Sequence, residues 1–438
     1  MALLSAEPAL ATAQRLFETL ARETADPPGV TRASYGAGEA FAHGLIAAEA
    51  DRIGLARRTD AVGNLYITLA GRDPAAPALF LGSHIDSVHH GGNFDGAAGV
   101  LAGLAVLERL AAAGIAPPFD ITLMVIRAEE MVWFPVHYIG SRAAFGLLPP
   151  DTPDTACRSD SARPLAAHMA DLGFDPGPIR RGEALLDPAR IRGFIELHIE
   201  QGPVLTGADI PVGIVTAIRG NIRYRFARIE GETTHAGAVP RSHRRDAVLA
   251  GAELAAALEA AWIAREAAGD DLVLTLGEFG TDPARHGITK VPGALAFTLD
   301  IRSTASAVLD RFDATLRAEA ERIARARGVR IALGAQTRAR EATMDPAMRA
   351  GLHAAAAAAG IPAIDIASGG GHDAAVFAGQ GVPSAMLFVR NANGSHNPDE
   401  AMDLADFAAA WQVLAGYMDA LIACPAPQAP APAAPAPG

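Results

Sequence analysis

The residues of this chain that could do chemistry are imidazoles and carboxylates set among glycines. His84 and Asp86 stand in Gly82-Ser-His-Ile-Asp-Ser, and Asp95 follows in Gly91-Gly-Asn-Phe-Asp-Gly. Glu129-Glu130, His198 and Ser395-His396 supply the same donor types further along. Neutral imidazole nitrogen and ionised carboxylate oxygen hold divalent cations at about 2.0–2.2 Å. Asp86 is spaced to accept the other ring N–H of His84 and so select its tautomer. A single His-Xaa-Asp is more often an ordinary surface feature, but here five donors recur at comparable positions. If Asp95 bridges, His84 and His198 complete the protein ligands of one cation, and Glu130 and His396 those of another. Two cations sharing an aspartate would lower the pKa of a water between them and polarise a carbonyl. Glu129, beside a ligand and itself uncommitted, would act as general base and later as acid.

Something must bring these positions together, and each follows an apolar run. Residues 78–82 read as a short strand delivering His84, and 97–113 as an apolar helix starting directly after Asp95-Gly96. Residues 121–126 form a buried-type strand ending at the two glutamates. Residues 194–199 carry His198, and a strand over 385–389 precedes Ser395-His396. Strands alternating with alanine-rich helices predict an α/β layer, in which ligands gather beyond the carboxyl ends of strands.

Further elements fill in the frame: a strand over 64–69, a helix over 38–56 with Phe41, Leu45, Ile46 and Ile53 on one face, and loops with short helices over 149–190. From about 213 the pattern changes. Ile222, Tyr224 and Phe226 alternate with Arg223 and Arg225, a half-exposed strand. Helices over 246–265 and 307–327 and strands over 272–276 and 294–301 complete an inserted unit with two helices on one face of an antiparallel sheet. A helix over 342–360, strands over 364–367 and 385–389, and a helix over 404–423 return to the first pattern. The expected domains are 1–212 and 330–423 for the catalytic part, 213–329 for the insertion, and 424–438 as a disordered Pro/Ala tail.

Composition narrows the function classes. At 438 residues the chain exceeds the size at which one core usually divides. A formal net charge of -12 argues against a nucleic-acid partner. Continuous apolar stretches stay below the ~18–20 residues of a membrane-crossing helix, so a soluble protein with no membrane partner is expected. Cys157 and Cys424 make neither a disulfide framework nor a thiolate metal site. Glu7 and Arg15 interrupt what a secretory peptide would need, and 10–22 reads as an amphipathic helix, so a cytoplasmic location is expected.

With these residues in view, the chain resembles the aminoacylase-like dinuclear metallopeptidase superfamily. Within it the likeness is to N-carbamoyl-L-amino acid hydrolases, allantoate amidohydrolases and ureidopropionase-type amidases. Besides the stretches above, the matching motifs are His198-Ile-Glu-Gln-Gly-Pro, Thr234-His-Ala-Gly, Asp300-Ile-Arg, Ser368-Gly-Gly-Gly-His-Asp and Ser395-His-Asn-Pro. They run in the family's order over nearly all of 30–420. Asn-Phe-Asp-Gly in the aspartate loop, and His198 where many peptidases have a carboxylate, favour the amidase branch.

The resemblance implies a mixed, mainly parallel sheet flanked by helices, with an inserted α+β dimerisation and lid domain. It also implies a homodimer and two divalent cations per subunit, drawn from Zn, Mn, Co or Ni. It assigns metal ligation to His84, Asp95, Glu130, His198 and His396, and catalysis to Glu129, with Asp86 orienting His84. His235 would stabilise the oxyanion, and Arg302 would take the substrate carboxylate bidentately. Gln201, Thr289 and the Gly370–Gly371 backbone would make further substrate contacts, although Thr289 stands where the family commonly has Asn. The reaction implied is hydrolysis of a linear amide in a carbamoyl or ureido acid, releasing ammonia, carbon dioxide and an amino acid. The same site would serve an allantoate amidohydrolase, or a dipeptidase or N-acyl amino acid deacylase with another acyl pocket. A metal-free binding protein of the same fold would instead lack ligands.

Overall fold

A computed structural model describes residues 7–424, so the Pro/Ala tail expected from 424 onward lies almost wholly outside the described residues. The chain forms two compact units: residues up to Thr216 together with those from Met344 onward, and Ala217–Thr343.

The first unit is built on a mixed sheet. Its centre is four parallel strands in the order Ser384–Val389, Ile191–Ile199, Ala78–His84 and Ile121–Ile126. Leu65–Leu69 and Ala56–Thr59 extend it in antiparallel fashion. Strands covered on both faces read as unbroken apolar runs rather than alternations, and Ile121–Ile126 is buried at every position. Leu79, Leu81, Ile195, Leu197 and Ile199 point into one core with the helices Glu7–Glu23, Ala97–Ala112 and Leu404–Ala423. Because side chains alternate across a strand, His84 and His198 then fall together on the opposite face. The register pairs Phe80 with Phe194, and each histidine lies four residues further on.

The second unit carries a six-stranded antiparallel sheet centred on Gly220–Glu230 and Ala294–Ser303. The helices Ala247–Ala267 and Ser306–Arg327 close its core through Leu254, Leu258, Leu309, Phe312 and Leu316 against Ile222, Tyr224, Leu295 and Ile301. By length and composition Ala247–Ala267 is apolar enough to cross a membrane, but Ala250, Leu254 and Leu258 on one face of it are buried in this core.

Some expectations fail for identifiable reasons. Phe226 does not share the inner face with Ile222 and Tyr224; it is 72% exposed. The register with the neighbouring strand shifts between Phe297 and Leu299. The bulge reverses the side-chain phase, so that Ala227 and Ile229 face inward instead. The helix expected over 38–56 is Ala37–Ile53, stopped by Gly54 at φ 80, and Ala56–Thr59 is a strand. Its buried side includes Ala42, Ile46 and Ala50, while Phe41 is exposed. The helix expected from 342 begins at Pro346, where Asp345 caps it by accepting the N–H of Met348 at 2.8 Å, and Ala342–Thr343 is a strand.

Candidate metal centre

The five expected ligands all belong to the first unit, and they converge. Asp95 turns one oxygen to each side. Its Oδ1 lies 3.5 Å from His84 Nε2 and 3.2 Å from His198 Nε2, and its Oδ2 lies 3.4 Å from His396 Nε2. His396 Nε2 is also 3.4 Å from Glu130 Oε1, and the His84 and His198 Nε2 atoms are 3.4 Å apart. Two three-donor groups therefore share one carboxylate: His84, Asp95 and His198, and Asp95, Glu130 and His396. Tetrahedral ligands about 2.0–2.1 Å from a cation stand about 3.3–3.5 Å from one another. The donor separations fit a divalent cation in each group.

Local structure explains the arrangement. Ala97–Ala112 begins at Gly96 with φ 64, and a Cβ there would lie 2.5 Å from the His84 ring, so only glycine lets the loop turn this close to the imidazole. The Gly96 N–H points at His198 Nε2 at 3.2 Å, while Nδ1 of that ring lies 2.9 Å from the Ile199 carbonyl. A ring N–H given to the carbonyl leaves the lone pair on Nε2, facing the cluster.

Asp86 ties the two halves together. It lies 3.3 Å from His84 Nδ1, accepts the Ser34 hydroxyl at 2.6 Å, and accepts the amide N–H groups of Glu129 and Glu130 at 3.2 Å each. Just before that pair Ala128 adopts φ 53, a left-handed conformation unfavourable for a residue with a Cβ. The turn is held by the Ala128 N–H to Glu39 at 2.8 Å and by the Ile139 N–H to the Ala128 carbonyl at 2.9 Å. Glu129 Oε2 lies 4.0 Å from His84 Nε2.

The electrostatics follow from packing charge into a buried space. Burial pushes the Glu129 carboxyl well above the usual range, with Glu130 and Asp373 adding to the rise and His84 opposing it. Burial likewise raises Glu130. Burial would raise Asp95 as well, but the neighbouring imidazoles of His198, His396 and His84 hold it well below the ordinary value. For His84, burial favours the neutral ring and is outweighed by Asp86 and Asp95, which hold the ring well above its usual pKa. The site thus concentrates negative charge that imidazolium or a bound cation must balance.

Several residues went unread in the sequence. Glu400 accepts the amide N–H groups of Phe94 and Asp95 at 2.8 and 3.2 Å. The Ser395 hydroxyl lies 2.6 Å from Asp95 Oδ2 and 2.5 Å from Glu400 Oε2. Arg32 is fully buried and donates to the Ile85 carbonyl at 2.7 Å and the Asn93 side chain at 3.0 Å. Burial lowers its pKa to about 10. Nothing local marks Arg32 or the reach of Glu400 to the Asp95 loop, because those partners are remote in sequence. His372 and Glu196 form another possible group with His198, but the Glu196 oxygens already accept the Ser83 hydroxyl at 3.0 Å and the Ala374 N–H at 2.9 Å.

Of the expected substrate contacts, Gln201 donates its carboxamide to Asp95 Oδ2 at 2.7 Å, so it stands against the cluster itself. Gly370 lies beside the Gln201 side chain, and Gly371 packs against the Tyr138 hydroxyl. His235, Thr289 and Arg302 belong to the second unit. His235 is exposed, and its Nδ1 accepts the N–H groups of Gly237 and Ala238 at 3.1 and 3.0 Å, which puts the ring proton on Nε2. Thr289 is exposed and its carbonyl accepts the Ala236 N–H at 2.8 Å. Arg302 pairs with Asp300 at 2.8 and 3.2 Å, a carboxylate it shares with Arg223 at 3.0 Å.

Comparison with known proteins places the chain in a family. The model of peptidase family M20/M25/M40 matches residues 80–420. The chain is 36% identical over 402 residues to an N-carbamoyl-L-amino acid amidohydrolase of Geobacillus stearothermophilus, covering 92% of this chain and 95% of that one. It is 35% identical over 365 residues to the allantoate amidohydrolase of Escherichia coli, covering 83% and 85%. A crystal structure of a hydantoinase/carbamoylase family amidase from Burkholderia ambifaria superposes with a TM-score of 0.82 at 30% identity, covering 94% and 97%.

Proposed function

The chain belongs to peptidase family M20/M25/M40, and from that premise we propose that it is a metal-dependent amidohydrolase cleaving the linear amide of N-carbamoyl-L-amino acids. The observation that carries this reading is Asp95, one carboxylate facing two donor groups, with the uncommitted Glu129 beside them. His84 and His198 would hold one cation, Glu130 and His396 another, and Asp95 both. Cations bound there would supply Lewis-acid polarisation of the carbamoyl oxygen and a water acidic enough to react near neutral pH.

The chain's own residues do the rest. Glu129 takes a proton at its carboxylate from the attacking water and returns it to the departing amine, a shuttle suited to a carboxyl whose pKa burial has raised. Asp86 holds His84 in register and fixes the Glu129 backbone. The His235 Nε2–H, its tautomer set by the Gly237 and Ala238 amides, is a donor suited to the oxyanion. Arg302 exchanges its Asp300 partner for the substrate carboxylate, Gln201 steadies Asp95 beside the substrate, and Thr289 and the Gly370–Gly371 backbone contribute polar contacts. Carbamate released by the cleavage decomposes to ammonia and carbon dioxide.

The relatives' names favour carbamoyl amino acids first and allantoate second. We read the insertion expected over 213–329, nearly all of which lies in the compact unit Ala217–Thr343, as a dimerisation and lid domain, the working form as a homodimer and the compartment as the cytoplasm. The deciding experiment measures ammonia release from a panel of N-carbamoyl amino acids, ureidopropionate and allantoate, alongside amine release from dipeptides and N-acyl amino acids. Ammonia from the carbamoyl series, abolished by chelation and restored by Zn, Mn, Co or Ni, is expected. Dipeptide or N-acyl cleavage without ammonia release, or turnover surviving complete metal removal, would reject the reading. Light scattering in solution tests the dimer.

A further inference from the structure

Between Asp86 and Asp95 the glycine loop carries two histidines, His89 and His90, that take no part in the buried cluster. They meet Asp26 from a neighbouring hairpin, and one ligand atom from each of the three lies within 4.8 Å of the others. The backbone keeps them together. Val30 and Gly91 form a bridge, with N–H···O bonds of 3.0 and 2.9 Å in the two directions. Gly29 permits that approach, since a Cβ there would lie 2.5 Å from the Gly91 carbonyl oxygen. The His90 N–H donates to Thr31 Oγ1 at 3.0 Å, and that hydroxyl donates to Asp26 Oδ2 at 2.6 Å. His90 itself adopts φ 45, uncommon for a residue with a Cβ, and its Nδ1 lies 2.9 Å from the Asp26 carbonyl oxygen. His89 faces Trp133, with ring centroids 4.2 Å apart.

We propose that Asp26, His89 and His90 form a further, solvent-facing site for a divalent cation of the Zn2+ or Ni2+ class, separate from the buried cluster. Two imidazoles and one carboxylate favour such cations over Ca2+ or Mg2+, which take oxygen-rich shells. Three protein donors leave the remaining positions to water or to a small anion. Coordination requires the donors to close to about 3.3–3.5 Å, and the exposed side chain of His89 is free to make that adjustment. The movement would alter the face of Trp133, a buried ring whose indole N–H donates to the Ser87 carbonyl at 2.7 Å. Trp133 is therefore a built-in reporter, and it lies three residues beyond Glu130.

The test uses the full, tag-free chain carrying its own metals. Ni2+ is titrated in while tryptophan emission is followed, and bound metal is counted by mass spectrometry after gel filtration. One additional Ni2+ per chain is expected, with saturable quenching. The combined variant Asp26→Asn, His89→Gln, His90→Gln should lose that additional cation and the quenching while keeping its original metals and its turnover. Trp133→Phe should lose the quenching and keep the uptake. His89→Gln alone, at an exposed position, should weaken uptake about tenfold or more. No additional cation in the wild-type chain, or uptake unchanged in the combined variant, would overturn the site.

Discussion

Asp86 lies 3.3 Å from His84 Nδ1, and the same carboxylate accepts the Glu129 amide at 3.2 Å, so one side chain sets both a candidate ligand and the backbone of the candidate base. Replacing it with asparagine keeps the volume and removes the charge, leaving the backbone carbonyl of residue 86, 3.1 Å from His84 Nδ1, as the ring's remaining acceptor. Partners of this kind are typically worth about 10–100-fold in metal affinity. Asp86→Asn should therefore lose metal in competitive chelator titrations by that factor, with turnover falling in parallel. Unchanged affinity would mean that Asp86 does not orient His84.

Glu129 separates from the candidate ligands by its distance. Its carboxylate reaches no closer than 4.0 Å to His84 Nε2, whereas Glu130 stands 3.4 Å from His396. Glu129→Gln should keep the metal content of the wild type and lower kcat by about 10²–10⁴-fold, the usual contribution of positioned general acid–base groups. Glu130→Gln should instead lower metal content. The two glutamates are adjacent in sequence, so a common effect of both variants on metal content would erase the distinction between base and ligand.

The strand ends carrying His84, Glu130 and His198 were legible because parallel central strands are written as apolar runs and the donors follow them directly. The alternation within Ile191–Ile199 even separates Ile195 and Leu197 from Glu196 and His198. What could not be read depends on contacts across long sequence separations. Glu400 reaches the Asp95 amide from 305 residues away, and the periodicity near Glu400 contains no trace of it. Phe226 departs from the alternation because a bulge is a property of two paired strands, and one strand's alternation alone does not reveal it. The start of Pro346–Ala359 differs for the opposite reason: Asp345-Pro346 is a local cap signal, and the alanine-rich run after it blurs the boundary.

His235 supplies a donor whose tautomer is already chosen by two backbone amides. A donor serving only the transition state changes kcat more than KM. His235→Asn, which retains an N–H but moves it, should lower kcat by about 10²–10³-fold with little change in KM. A large rise in KM at constant kcat would assign His235 to ground-state substrate binding.

A charge pair also stabilises the second unit. Asp271 accepts three contacts from Arg219, at 2.6 to 3.0 Å, and the Thr304 N–H at 2.8 Å. Burial alone would raise its pKa, but Arg219 and the Thr304 amide outweigh that and leave it lowered. With a folded pKa below the unfolded one, the unfolded chain binds more protons between the two values, so stability increases with pH across that window. The contribution is present above the ordinary aspartate pKa of about 3.9 and is lost as pH falls below it. Hydrogen bonds to a charged group are worth about 1.5–3 kcal/mol, and the partial exposure of the pair favours the lower end. Asp271→Asn should therefore lower the unfolding midpoint in denaturant at pH 7, and the difference from the wild type should shrink between pH 5 and pH 3. A difference that stays constant over that range would show that packing, not charge, holds Asp271 in place.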